Sequence, residues 1–212
     1  MDGKKERFGI YGGSFSPIHM GHVRAAYAFL DSVNLDSLLI MPSGQSPHKP
    51  KDPYATGEDR LNMCHLAFND GEPYKKGILE VSDFEILREG KSYTVLTLEH
   101  FASPERELFF LVGTDMFFTL SKWFRAEEIF KLATIVLMRR EDDTQNTPLI
   151  KAARSEYESR FGARIYEIDE PPTVVSSTEL RERLELSLDC VEMLHPAVDA
   201  YIKEKGLYKR ID

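Results

Sequence analysis

Cysteine is scarce in this chain: Cys64 and Cys190 are the two it has. They stand far apart in helix-like segments and lack metal-ligand spacing, so buried thiols are expected rather than a disulfide. No apolar run approaches the roughly 18 residues of a membrane span, so no membrane partner is expected. A basic excess is missing too. The formal net charge is −8, which excludes the nonspecific nucleic-acid binding that needs a basic face to displace counterions. A local basic pocket for a small polyanion stays open. The first residues, 1–7, carry charges with no apolar stretch behind them, so no signal peptide is expected and a cytoplasmic location follows by default. Internal repeats and low-complexity segments are absent. The first glycine turn lacks the Gly-x-Gly-x-x-Gly spacing, which counts against a hydride-transferring dehydrogenase.

What is present is ordinary globular material: 212 residues, 42% hydrophobic and 29% charged. That suffices for one substantial α/β domain spanning the chain, with a small helical part from about residue 176 onward. Strand-like runs at 7–11, 37–41, 78–81, 108–112, 134–137 and 164–168 alternate with helix-like runs at 22–33, 58–68, 94–101, 150–160, 178–186 and 197–205. The stretch 83–87 reads as a further short extended piece. Residues 141–148 are the most linker-like. The alternation implies a doubly wound, mostly parallel, Rossmann-like sheet. Such sheets bind ligands outside the carboxyl ends of their strands, where the strand order reverses.

The chemistry-bearing residues fall at those ends. After the first strand comes Gly12-Gly13-Ser14-Phe15-Ser16-Pro17-Ile18-His19-Met20-Gly21-His22. It reads as a glycine turn that lets backbone N–H groups approach phosphate oxygens, followed by a helix start aimed at the same place. His19 and His22 add imidazole donors, and the whole suits a nucleoside triphosphate. After the second strand lies a Pro- and Gly-rich loop containing Pro47-His48-Lys49-Pro50. Gly113-Thr114-Asp115 follows the most apolar strand. Late in the chain, Ser176-Ser177-Thr178-Glu179-Leu180-Arg181 reads by itself as a helix cap; the same hydroxyls, N–H groups and Arg181 also suit phosphate oxygens. Arg139 and Arg140 end a strand on the ligand side. His65, His100 and His195 match no motif and are read as structural.

The opening motif, His19-Met20-Gly21-His22, resembles the signature of the His-x-Gly-His nucleotidyltransferase superfamily, and the Ser176–Arg181 stretch resembles its second signature. Within it, Arg88-Glu89-Gly90-Lys91-Ser92-Tyr93-Thr94-Val95-Leu96-Thr97-Leu98 is similar to a segment of bacterial nicotinate-nucleotide adenylyltransferases. So are Pro47-His48-Lys49, Arg60-Leu61-Asn62-Met63, Gly113-Thr114-Asp115, Trp123 and the closing Tyr201-Ile202…Gly206-Leu207-Tyr208. The resemblance runs from Phe8 to Tyr208. It implies transfer of the adenylyl group of ATP to nicotinate mononucleotide in NAD biosynthesis. It implies His19, His22 and Arg181 as catalytic residues. Gly12, Gly13, Ser14, Phe15, Gly113, Asp115, Ser176, Ser177 and Thr178 would bind ATP. His48, Lys49, Tyr93, Thr94 and Trp123 would bind nicotinate mononucleotide, the carboxylate at the Tyr93–Thr94 amides and the ring on Trp123. Mg²⁺ is implied on the ATP phosphates, with no protein cage.

One departure stands out. The family usually has Asp after the Phe of the first motif, and this chain has Ser16, which puts the local electrostatics and the metal affinity in question. Other acceptors on the same fold (nicotinamide mononucleotide or phosphopantetheine) and a noncatalytic nucleotide-sensing module remain alternatives. Whether the chain forms a homo-oligomer is left open.

Overall fold

The computed structural model describes residues 4–47, 52–69, 78–139, 145–169 and 176–209. Six strands form one sheet: β1 (Glu6–Gly13), β2 (Ser37–Pro42), β3 (Leu79–Val81), β4 (Arg106–Gly113), β5 (Ala133–Arg139) and β6 (Ile165–Asp169). Their order is β3-β2-β1-β4-β5-β6 and every pairing is parallel. The chain therefore runs outward from β1 to one edge, returns, and runs outward from β4 to the other. The reversal between β1 and β4 opens a crevice at their carboxyl ends.

The central strands are apolar on both sides because both faces are covered. Leu38 and Ile40 of β2, with Phe109 and Leu111 of β4, point into one layer. That layer holds α1 (Met20–Ser32), α2 (Gly57–Asn69), α8 (Ser177–Glu185) and α9 (Pro196–Lys205). Leu39, Met41, Phe110 and Val112, one residue out of phase, point into the other. There sit α4 (Thr94–Phe101), α5 (Thr114–Phe117), α6 (Ala126–Leu132) and α7 (Thr147–Phe161). Gly9 is required by the first layer: a Cβ there would lie 2.4 Å from Leu35 Cδ1.

Most elements lie where the residue pattern puts them, with ends moved by a residue or a few. Four features depart from that pattern or go beyond it. Gly12 and Gly13 are strand residues rather than a turn, paired with Met41 and Pro42 of β2. The stretch expected to be extended at 83–87 is the short helix α3 (Phe84–Leu87); its phenylalanine packs against the rings of His100 and Phe101, a tertiary contact that a five-residue pattern does not carry. In α2 the buried side is Arg60, Met63, Cys64 and Ala67, whereas Leu61, Leu66 and Phe68 are half-buried. Residues 114–132, which gave no periodic signal, form α5, a 3₁₀ turn at Leu120–Lys122, and α6. Both cysteines are free and buried, and burial pushes the Cys64 thiol up. Among the described residues no helix is long and apolar enough to cross a membrane.

Candidate active site

The loop from β1 to α1 is built around the ring of Phe15. This residue adopts a left-handed backbone with φ 47°, uncommon for a bulky side chain. Its ring is buried and lies against Gly13, where an added Cβ would meet it at 2.9 Å. Gly13 is therefore needed to seat Phe15. Gly12 is the more open position, since a Cβ there would meet only the Phe110 ring at 3.7 Å. Phe15 in turn supports His22 edge-on, with ring centroids 5.1 Å apart.

His19 is the N-cap of α1 and His22 the third residue of that helix. Their rings stack 3.7 Å apart, and His19 is buried. The backbone N–H of His19 donates to His22 Nδ1 at 3.3 Å. An accepting Nδ1 assigns the proton of the neutral ring to Nε2, so the second nitrogen of His22 is a donor. The Met20 N–H is already engaged, donating to the Met193 carbonyl at 2.9 Å. The His22 N–H faces the His19 side chain in a reciprocal cap, so the anion-binding capacity of this helix end rests on the Gly21 amide and on His22 Nε2.

The late motif lies against the early one. Arg181 donates from Nη1 to the Ser16 carbonyl at 2.7 Å and from Nη2 to Thr178 Oγ1 at 3.1 Å. Ser177 donates to the Pro17 carbonyl at 3.5 Å. Ser176 caps α8, its hydroxyl accepting from the Glu179 N–H at 3.2 Å. The first amides of α8 therefore open beside the loop that carries the two histidines, about 160 residues earlier in sequence. A guanidinium has five N–H donors and these contacts use two, which leaves Arg181 capacity for an anion. Ser16 itself is buried, and its hydroxyl shares a hydrogen bond of 3.1 Å with the phenol of Tyr208. Burial pushes that phenol up, with the Ser16 bond opposing. The position where the family usually has Asp thus faces the C-terminal segment.

Arg60 joins this loop to the next one. It is 4% exposed and donates to the carbonyls of Ser14 at 2.7 Å, Ser43 at 2.6 Å and Gly44 at 3.1 Å. The Ser43 N–H adds a bond to the Gly13 carbonyl at 2.9 Å. Burial depresses the Arg60 guanidinium. The sequence reading placed Arg60 in a motif without giving it this task; an arginine on the buried face of a helix was the available signal.

The acceptor candidates gather on the other side of the crevice. Tyr93 is the N-cap of α4 and Thr94 its first residue. The Tyr93 N–H donates to the Lys91 carbonyl at 3.0 Å. Thr94 and Val95 supply the terminal donors of the helix. The Tyr93 ring packs against Phe124 at 4.6 Å. Trp123 is half-buried, lies edge-on to Phe110 at 6.3 Å, and donates from Nε1 to Thr119 Oγ1 at 3.2 Å. Phe110 also underlies Gly12, so Trp123 sits one ring away from the end of β1. Phe124 is 51% exposed; as an apolar residue beside a lone tryptophan it could have been singled out, and was not. Arg125, with a left-handed backbone of φ 54°, pairs with Glu99 of α4 at 2.7 Å, which holds this turn against α4.

Gly113 ends β4 beside the crevice and Asp115 is exposed on α5. Arg139 is committed elsewhere, to Thr147 at 2.9 Å and Glu167 at 3.6 Å. His48, Lys49 and Arg140 lie outside the described residues, as do residues 141–144. His195 caps α9 through Nδ1, and His100 stacks on Phe84. Among the described residues no group of three or more His, Cys, Asp or Glu could hold a metal ion. The crevice thus offers imidazole, guanidinium and amide donors, a set that holds anions.

A family model for cytidylyltransferase-like proteins matches residues 10–183. A protein of Caldicellulosiruptor saccharolyticus named "Probable nicotinate-nucleotide adenylyltransferase" is 38% identical, covering 94% of this chain and 97% of its own. One of the same name from Clostridium tetani is 34% identical over 94% of this chain and 98% of its own. Among solved structures, the nicotinic acid mononucleotide adenylyltransferase of Plasmodium falciparum complexed with NaAD superposes with a TM-score of 0.77. It is 19% identical and the match covers 96% of this chain and 97% of that one, a likeness of fold. By sequence and by architecture alike, this chain belongs to the nicotinate-nucleotide adenylyltransferases, within the cytidylyltransferase-like group.

Proposed function

We propose that this crevice performs the reaction for which the family is named: nicotinate mononucleotide and ATP are joined to give nicotinate adenine dinucleotide and pyrophosphate, a step of NAD biosynthesis. The observation that carries the reading is the placement of Arg181 and Ser177 on the Ser16–Pro17 carbonyls, which brings the two anion-binding helix starts together. One triphosphate then spans both.

In this reading the 5′-phosphate of the acceptor attacks the α-phosphorus in line. Its nucleophilic oxygen is anionic at neutral pH, so no general base is required. The chain's contribution is positioning and stabilisation of phosphate charge. His22 Nε2–H and the Gly21 amide hold the α-phosphate region, and His19 steadies His22 by stacking and by the reciprocal cap. Arg181 and the Ser177 and Thr178 amides take the departing pyrophosphate. Asp115 meets ribose hydroxyls. The Thr94 end of α4 receives the nicotinate carboxylate, and Trp123 covers the ring. His48 and Lys49 are proposed on the acceptor side. Mg²⁺, when bound, neutralises phosphate oxygens; the anion-binding donor set fits a metal carried on the triphosphate, and no protein ligand is assigned to it. The site residues act within one domain, in the cytoplasm.

The test is pyrophosphate release from ATP and Mg²⁺ with purified protein, offered nicotinate mononucleotide and nicotinamide mononucleotide in parallel. Fast turnover of the acid and slow turnover of the amide is expected. Equal turnover would remove the carboxylate site, and turnover of neither would point to another acceptor or to a sensing role.

A further inference from the structure

Glu85 has no role in the reaction as described, yet its carboxyl group is buried. It lies on α3 and is 7% exposed. Its partners are hydroxyls. Thr97 Oγ1 donates to Oε1 at 2.5 Å, and the Ser92 hydroxyl lies on the same side and pulls the carboxyl group down. Ser92 Oγ also accepts the Gly44 N–H at 2.9 Å. The Ser92 N–H donates to the Gln45 carbonyl at 2.8 Å, and Gln45 and Lys91 form a parallel bridge. Gly44 is pressed against the Glu85 main chain, where an added Cβ would lie 2.2 Å from the carbonyl oxygen.

These contacts have one geometric result. Thr97, bonded to the carboxyl group, and Ser92, bonded to the Gly44 N–H pressed against the Glu85 main chain, bracket Tyr93 and Thr94. The loop after β2 is fastened to the same point through Gly44 and Gln45. A buried carboxyl group is an expensive way to fill space, and an apolar residue of similar size would serve packing better. Burial pushes the Glu85 carboxyl up while the Thr97 and Ser92 hydroxyls and the Arg88 charge pull it back. The Thr97 hydroxyl on the carboxyl group and the Gly44 main chain against the Glu85 carbonyl fix direction as well as distance.

We infer that Glu85 is a positioning residue for the acceptor nucleotide: acting through the Ser92 and Thr97 hydroxyls, it sets the start of α4 and the Gly44–Gln45 loop in the geometry that receives the pyridine carboxylate. The inference rests on the acceptor assignment made under the proposed function. ATP-side geometry has its own holds, Arg181 on the Ser16 carbonyl and Arg60 on the Ser14 carbonyl, and the Arg60 guanidinium, which also reaches Ser43 and Gly44, stays in place without Glu85.

The test compares wild type, Glu85→Gln, Glu85→Ala, Ser92→Ala and the double Ala variant, with KM measured separately for nicotinate mononucleotide and ATP. Loss of one buried hydrogen-bond node predicts a KM for nicotinate mononucleotide raised about tenfold in Glu85→Ala and in Ser92→Ala. The ATP KM and kcat stay within about twofold, as expected for binding lost at one subsite. The double variant is no worse than about the poorer single one, since both act through one network. Glu85→Gln keeps an acceptor for one hydroxyl and stays within about threefold of wild type. An unchanged acceptor KM, equal damage to both substrates, or effects that multiply in the double variant would overturn the inference. If Glu85→Ala does not fold, an unchanged acceptor KM in Ser92→Ala overturns it alone. Absence of turnover in wild type would overturn the acceptor assignment itself, which separates that failure from this one.

Discussion

Replacing Arg60 by methionine tests the idea that one buried guanidinium holds the two substrate loops together. The side chain donates to three main-chain carbonyls at 2.6, 2.7 and 3.1 Å, on loops that follow different strands. A hydrogen bond to a charged group contributes about 1.5–3 kcal/mol, and a buried acceptor left unsatisfied costs about 1–3 kcal/mol. Methionine fills the volume of the stem and removes the desolvation penalty of the charge, which offsets part of the loss. The net expectation is a destabilisation of about 2–4 kcal/mol. For a chain of this size that lowers Tm by about 5–15 °C. Thermal unfolding followed by circular dichroism reads this directly. The ATP KM should rise as well, because Ser14 loses its tie. Arg60→Lys keeps the charge, but one ammonium cannot replace a fork that spans two loops, so it should fall between wild type and Arg60→Met. A Tm within about 2 °C of wild type, below the roughly 1 kcal/mol that such a shift represents, together with an unchanged ATP KM would refute the reasoning and show that the loops hold themselves.

His22→Ala should lower kcat by about 10²–10³ while changing the ATP KM much less, as loss of a donor to developing phosphate charge does; steady-state kinetics showing an unchanged kcat would remove that role. Trp123→Ala should raise the KM for nicotinate mononucleotide by about tenfold and spare ATP, and equal weakening of both would contradict ring stacking. Glu85→Gln should alter the pH dependence of stability in a defined direction. Burial raises the carboxyl group in the folded state, so the folded chain binds the proton more tightly than the unfolded one. That contribution is present below the unfolded pKa of about 4.3 and is lost as pH rises through the folded value. Urea unfolding at a series of pH values should therefore show Glu85→Gln gaining on wild type as pH rises from about 4, the unfolded carboxylate range; a constant difference would place the carboxyl group in solvent.

The sequence alone specified a good deal, for local reasons. Strand–helix alternation with apolar runs in the centre implies a parallel sheet covered on both faces, and the sheet has six parallel strands. His19-Met20-Gly21-His22 declared its chemistry because its glycines, imidazoles and helix start are contiguous. The Ser176–Arg181 stretch was legible as a cap, and its hydroxyl does cap α8. The rest needed residues distant in sequence to meet. Gly13 is required by the Phe15 ring rather than by a turn, which is visible only once Phe15 folds back. The Tyr93 amide is taken by Lys91, a detail of one turn that no pattern states. Ser16 looked like a weakened cation site, yet its hydroxyl is turned to Tyr208, 192 residues away. Arg60 stood in a family-like motif with no task of its own and Glu85 in a short extended piece with none, because charged residues are seldom buried unless partnered. Their partners are carbonyls and hydroxyls on other elements, which only the tertiary fold supplies. Periodicity and contiguous motifs fix which elements form and where phosphate can bind; the burial of polar side chains depends on who their distant neighbours are, and that is decided when the sheet and its two layers close around them.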